Sequence, residues 1–123
     1  MKPLRVFCVE DNALLVMQLE SIIEEGGHRF AGSAARFTDL EAAIGKVDFD
    51  VALVDIDLAD GRTGGEVAAW LRKRGYPSLF VTGQENVAAD YADVSLGIVG
   101  KPVEPDRLLR ALREVARSIG RHA

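Results

Sequence analysis

Val51-Ala52-Leu53-Val54 form an uninterrupted apolar run that ends on Asp55. Four apolar residues in succession predict a short strand buried on both faces, the habit of a parallel sheet. Ile56 and Asp57 follow, and then the turn signal Ala59-Asp60-Gly61. In an open α/β sheet, ligands gather outside the carboxyl ends of the strands. A carboxylate at such an end is costly to bury unless something uses or offsets its charge. What else reaches that edge therefore constrains what the chain can do.

The rest of the chain alternates in the same manner. Residues 4–9 read as a first strand closing on Glu10-Asp11-Asn12, where Asp11 or Asn12 can cap the next element. Residues 13–25 carry a helical stripe at positions 15, 19, 22 and 23, stopped by Gly26-Gly27. A short strand at 28–33 and a helix at 37–46 follow, then a third strand at 50–54. A helix at 66–74 bears Val67, Trp70 and Leu71 at helical spacing, with Trp70 expected to pack between helix and sheet. A fourth strand at 78–81 ends on Thr82-Gly83, a short helix is expected at 86–92, and a fifth strand at 96–100 ends on Lys101-Pro102. Pro105 suits the first turn of a last helix, whose core face is Leu108, Leu112, Val115 and Ile119, widened by Leu109 and Ala116. Five β–α units with short connections predict a doubly wound, five-stranded parallel sheet of the flavodoxin-like kind, strand order 2-1-3-4-5.

Composition narrows the function. The 123 residues are 48% hydrophobic and 28% charged, which suits one domain, 1–123, with a real core. A net charge of −4 speaks against a nucleic-acid surface, which would be basic. The lone cysteine, Cys8, permits no disulfide within the chain and reads as a small core residue. No apolar stretch approaches the ~18 residues of a membrane span, and the start of the chain lacks a signal-peptide core. The expectation is a cytoplasmic protein with no membrane partner. His28 and His122 lie far apart in the sequence, have no clustered partner and are expected at the surface.

Polar residues fall at four strand ends: Glu10-Asp11, Asp55, Thr82 and Lys101. A parallel sheet brings all four to one edge. Three carboxylates, a hydroxyl and an ammonium then share a small volume. Crowded carboxylates raise one another's proton affinity and repel. A hard divalent cation offsets this, and Mg²⁺ takes oxygen ligands, often one or two carboxylates with waters and a substrate phosphate. With Asp11 and Asp55 on Mg²⁺, the free oxygen of Asp55 becomes a nucleophile toward phosphorus. Phosphoryl transfer chiefly demands positioning and neutralised equatorial oxygens, here by the metal, Lys101, and Thr82 or the Gly83 amide.

On these residues the chain resembles a response-regulator receiver domain of the CheY-like kind, over nearly its whole length. The family carries an acidic pair after strand 1, a phosphorylated Asp after strand 3, Thr or Ser after strand 4 and Lys-Pro after strand 5. Glu10, Asp11, Asp55, Thr82, Lys101 and Pro102 match in order. The resemblance implies that Asp55 accepts a phosphoryl group from a sensor histidine kinase or histidine phosphotransfer protein. It implies Mg²⁺ on Asp11, Asp55 and the Asp57 backbone carbonyl, with Glu10 assisting through water. Thr82, Gly83, Lys101 and Pro102 form the phosphoryl-binding switch, and an output protein docks near the strand 4–helix 5 face. Such a protein is a phosphoacceptor rather than an enzyme with a separate substrate. Asp57 and Gln84, each two residues beyond a site residue, are expected to tune dephosphorylation.

Three departures from the family stand out. Ala59 replaces a common Pro, which is expected to loosen its loop. Ile98 stands three residues before Lys101, where many receivers carry Tyr or Phe. The stretch from Thr82 to Lys101 is short, so helix 4 is expected to be reduced or irregular. Phe80-Val81-Thr82-Gly83 resembles the Phe-Ala-Thr-Gly of stand-alone "FAT GUY" receivers, although Gln84-Glu85 departs from it. With the chain ending soon after the last helix, a single-domain regulator is expected rather than an excised receiver.

Other classes share parts of this pattern. Asp55-Ile56-Asp57 resembles the Asp-x-Asp of haloacid-dehalogenase-type phosphatases, with Asp55 as nucleophile and Asp57 as general acid. That motif usually opens its fold, and acids after the lysine would be needed for the metal. Glu10 with Asp55 and Asp57 echoes topoisomerase–primase metal sites, but no basic groove accompanies it. A nucleotide or flavin binder needs glycines in the first βα turn, where this chain has Glu-Asp-Asn. A receiver-like fold that binds partners without phosphorylation is the remaining alternative.

Overall fold

A computed structural model describes residues 3–120. Its strands are β1 (Arg5–Val9), β2 (Arg29–Ala34), β3 (Val51–Val54), β4 (Ser78–Thr82) and β5 (Ile98–Gly100). The α-helices are α1 (Ala13–Glu25), α2 (Phe37–Ala43), α3 (Gly64–Lys73), α4 (Glu85–Ala89) and α5 (Pro105–Ser118), with one 3-10 turn at Ala92–Val94. All pairings are parallel, in the order β2-β1-β3-β4-β5. The expected sheet and strand order are those observed.

Strand alternation divides the core in two. Val6, Cys8, Val51, Leu53, Leu79 and Val81 face α1 and α5. Phe7, Val9, Ala52, Val54 and Phe80 face α2, α3 and α4. The side chains of β3 are all buried, as the apolar run demands. Cys8 sits in the first layer, where burial pushes its thiol up to about 12, so it stays protonated packing material.

Element ends differ from the expected ones where a side chain or a glycine intervenes. Asp50 stands outside β3 and instead accepts hydrogen bonds from the Arg5 backbone and guanidinium, at 2.8 to 3.2 Å. Helix α2 stops at Ala43, and Gly45 then takes a left-handed φ of +83° that no helix continues through. Strand β5 begins only at Ile98 and leaves Leu96 exposed. Ile119, expected on the core face of α5, lies just past the helix end and is also exposed. Trp70 meets Phe37 of α2 edge-on at 5.5 Å, with the Arg74 guanidinium 3.9 Å from its ring centre, so besides packing against the core layer of the sheet it joins helix to helix.

His28, expected at the surface, is buried. Its Nδ1 accepts the Leu4 amide at 3.0 Å, which pins the start of β1 to the turn after α1. His122 lies outside the described residues. Burial lowers the His28 pKa, because imidazolium is disfavoured away from water. The unfolded chain therefore takes up a proton at a higher pH than the folded one. The contribution is complete above the ordinary histidine pKa of about 6.5 and is lost as pH falls below it. Urea unfolding from about pH 7 to about pH 5 should show a steeper loss of stability in the wild type than in His28→Gln. Equal slopes would remove His28 from the pH response.

Candidate functional site at the carboxyl edge of the sheet

Each site residue stands where a strand ends. Val9 leads to Glu10 and Asp11, Val54 to Asp55, β4 closes on Thr82, and Gly100 leads to Lys101. Register fixes their relative height: Val9 pairs with Val54, and Thr82 with Gly100. Backbone bonds extend the ladder into the site, with the Asp55 amide on the Val9 carbonyl at 3.0 Å and the Lys101 amide on the Thr82 carbonyl at 3.1 Å. Asn12 caps α1 through bonds to the Leu14 and Leu15 amides, one of the two alternatives open in the sequence, and leaves Asp11 exposed at the rim.

The Lys101 ammonium lies between two buried carboxylates. Its Nζ donates to Asp55 Oδ2 at 2.7 Å and to Glu10 Oε1 at 2.9 Å. Glu10 Oε2 also accepts the Asn12 amide at 3.0 Å. Burial, the largest influence, pushes Glu10 up to about 7, with the Asp55 charge adding to it, against the hydrogen bonds from Lys101 and Asn12. For Lys101 burial is also the largest influence and acts downward. The hydrogen bonds and charges of Asp55 and Glu10 together outweigh it and hold the ammonium above its ordinary value.

Carboxylate oxygens of Glu10, Asp11 and Asp55 lie within 4.8 Å of one another. This all-oxygen donor set fits a hard cation such as Mg²⁺ and offers nothing to a soft one. The Asp57 side chain is directed elsewhere, accepting from Arg62 Nε at 3.0 Å. Thr82 is fully buried, and its Oγ1 accepts the Gln84 amide at 3.0 Å, which closes a tight turn over the exposed Gly83. Pro102 follows Lys101 through a cis peptide bond.

The surrounding loops are held by contacts the sequence reading did not find. Hydrogen bonds, rather than a proline ring, restrain the loop with Ala59: its amide donates to the Ala35 carbonyl, and Asp60 accepts from the Phe37 amide and the Thr63 hydroxyl, all at 3.0 Å. The start of α3 lies against the Asp55 turn, where a Cβ on Gly64 would come within 2.0 Å of the Asp55 carbonyl oxygen. Helix α4 is reduced to five residues, as the short segment implied. The Glu85 carboxylate covers Gly100, with an oxygen 2.6 Å from where a Cβ would stand. Tyr91 lies over Gly65 and meets Phe80 edge-on at 6.4 Å, and Arg72 donates to the Asp93 carbonyl. Ile98 is half-buried in the same layer as Tyr91 and Phe80. A glycine inside a strand or at a buried helix start signals close approach, and Gly64, Gly65 and Gly100 carried that signal.

Lys101→Met should leave Glu10 and Asp55 facing each other without a cation. In EDTA at neutral pH, its urea midpoint should fall by the equivalent of about 3 kcal/mol. An unchanged midpoint would show that the ammonium does not compensate the pair.

The response regulator receiver domain family model matches residues 6–113. Among solved structures, the chain is similar to the PhyR response regulator receiver domain of Erythrobacter litoralis, with 28% identity, covering 94% of this chain and 91% of that one, at a TM-score of 0.82. A CheY-like receiver domain protein from Methanospirillum hungatei is 25% identical over 98% of this chain and 100% of that one, at a TM-score of 0.81. The anti-anti-sigma factor PhyR of Bartonella quintana superposes at a TM-score of 0.87, covering 98% of this chain and 50% of that one; at 23% identity this likeness is one of fold. No curated protein sequence matches the chain.

Proposed function

The chain belongs to the response regulator receiver family, and on that premise we propose that it accepts a phosphoryl group on Asp55 in a Mg²⁺-dependent reaction and thereby changes the surface it offers to a partner. The observation that carries this reading is Lys101 Nζ bound to Asp55 at 2.7 Å, at an edge where Glu10, Asp11 and Asp55 bring their oxygens together. Asp11, Asp55 and the Asp57 carbonyl would hold the cation, and Glu10, already engaged by Lys101 and Asn12, would assist through water. When bound, Mg²⁺ neutralises a phosphoryl oxygen and the crowded carboxylates.

Asp55 presents a carboxylate oxygen to phosphorus, and the new O–P bond forms as the donor's bond to phosphorus breaks. The donor is a phosphohistidine of a sensor kinase or phosphotransfer protein. Lys101 follows the charge from the carboxylate to a phosphoryl oxygen. The Thr82 hydroxyl turns toward another, which releases the Gln84 amide, and Gly83 permits that movement. About −1.5 to −2 added charges at Asp55 then act on a segment from Gln84 to Ile98 with little regular structure, and the β4–α4–β5–α5 surface is read by an output protein. This is a switch that modifies only itself.

Acetyl phosphate with Mg²⁺ should add one base-labile phosphoryl group by intact mass, lost in EDTA and in Asp55→Asn. Steady phosphate release from small esters would instead favour a phosphatase. No adduct and no turnover would leave a binding module independent of phosphorylation.

Asp57 and Gln84 flank the approach of the hydrolytic water and set the phosphoryl lifetime, with Arg62 holding the Asp57 side chain aside. Asp57→Ala and Gln84→Ala should each change the rate of phosphate loss from the phosphorylated protein, measured with Arg62→Ala alongside. If neither rate moves, the tuning role is lost.

A further inference from the structure

The loop after Asp55 is tied to itself. The Gly64 amide donates to the Ile56 carbonyl at 2.9 Å, and Leu58 and Gly61 exchange amide-to-carbonyl bonds at 2.8 and 3.0 Å. Leu58 is buried beneath it, and Gly61 takes a left-handed φ of +112° that turns the chain back. Arg62 follows Gly61 and so leaves the loop from a fixed backbone.

Its guanidinium is only partly used. Nε donates to Asp57 Oδ1 at 3.0 Å, and this is its one protein partner among the described residues. The N–H groups of Nη1 and Nη2 have none, on a side chain that is 57% exposed. They form a planar fork suited to two oxygens of a phosphoryl group. Asp57, by taking Nε, sets the direction of that fork.

The charges nearby give the fork something to do. Asp57 is two residues from Asp55, a separation of at most about 7 Å between Cα atoms, so the Asp57–Arg62 pair stands beside the site. Glu10, Asp11, Asp55 and Asp57 bring four carboxylates against two cations, Lys101 and Arg62. Lys101 is already bonded to Glu10 and Asp55. A phosphoryl donor arrives as an anion and meets an excess of negative charge. A divalent cation cancels that excess while Arg62 is present and falls one charge short without it.

We propose that Arg62 recognises the phosphoryl donor, its Nη1 and Nη2 groups holding oxygens of the anionic group at the rim while Asp55 attacks. The proposal rests on the phosphoacceptor reading above and deepens it, since it makes donor charge a determinant of the rate. Arg62 binds and aligns; the bond made and the bond broken are those already assigned to Asp55 and the donor.

The test measures initial rates of phosphorylation of the full chain with Mg²⁺, by intact mass. The donors are acetyl phosphate, a dianion at neutral pH, and phosphoramidate, whose net charge is smaller. Arg62→Ala should slow the reaction with acetyl phosphate about fivefold at low ionic strength and that with phosphoramidate about twofold. Both losses should shrink as salt approaches about 0.5 M, and Arg62→Lys should restore most of the acetyl phosphate rate. Mg²⁺ affinity, from amide NMR titration, should be no weaker in Arg62→Ala than in the wild type, because a neighbouring cation has been removed. Unchanged rates, equal losses for the two donors, losses indifferent to salt, or weakened Mg²⁺ binding would each overturn the inference. If the wild type itself takes up no phosphoryl group, the phosphoacceptor reading fails and the inference with it; a phosphorylated wild type with unaffected Arg62 variants would sink the inference alone.

Discussion

The Lys101 ammonium is what allows Glu10 and Asp55 to stand together with almost no contact with water. Two buried carboxylates at hydrogen-bond distance from one cation, 2.9 and 2.7 Å, form an arrangement whose charge is only half offset. Such a site is poised rather than satisfied. Burial holds Glu10 near neutrality in its titration, and the Asp11 carboxylate adds a further negative charge at the rim. Any cation or electrophile entering from the open side meets groups already aligned by three strand ends. The sheet bears the cost of desolvation, and the residues facing outward are left to react.

The backbone makes this arrangement rigid on one side and loose on the other. Toward β1 and β3, amides and carbonyls continue the parallel ladder up to Asp55, and α3 begins directly against its carbonyl because Gly64 has no side chain to obstruct it. Toward β4 and β5 the chain has a five-residue helix, one 3-10 turn and a three-residue strand. That segment is attached by a carboxylate lying on Gly100, a tyrosine lying on Gly65 and an arginine on a carbonyl. Contacts of this kind are few and partly exposed, which places the segment at the low-stability end of the fold. A change of charge at Asp55 would be expressed there first.

Ile98 stands three residues before Lys101, and Tyr91, from the loop after α4, lies over Gly65 of α3 and meets Phe80 of β4 edge-on. A short α4 and the missing side chain at Gly65 leave room for this ring. The covering of Gly100 by Glu85 belongs to the same rearrangement, with a charged side chain lying where a β5 side chain would otherwise stand.

The sequence by itself determined the strand order, the two-sided core and the edge on which Glu10, Asp11, Asp55, Thr82 and Lys101 meet. The elements and the shared edge follow from period, turn signals and β–α alternation, which are local or nearly so, and the strand order from the flavodoxin-like pattern they resemble. It also contained the shortness of α4, read from the spacing of two site residues. Tertiary structure alone decided the rest. His28 is buried because a backbone amide 24 residues away needed an acceptor. Asp57 turns to Arg62, Tyr91 settles on Gly65, and Ile119 stays exposed, because each outcome depends on which surfaces three-dimensional packing leaves open. Periodicity records what faces the core; it does not record which distant group completes a hydrogen bond or fills a gap.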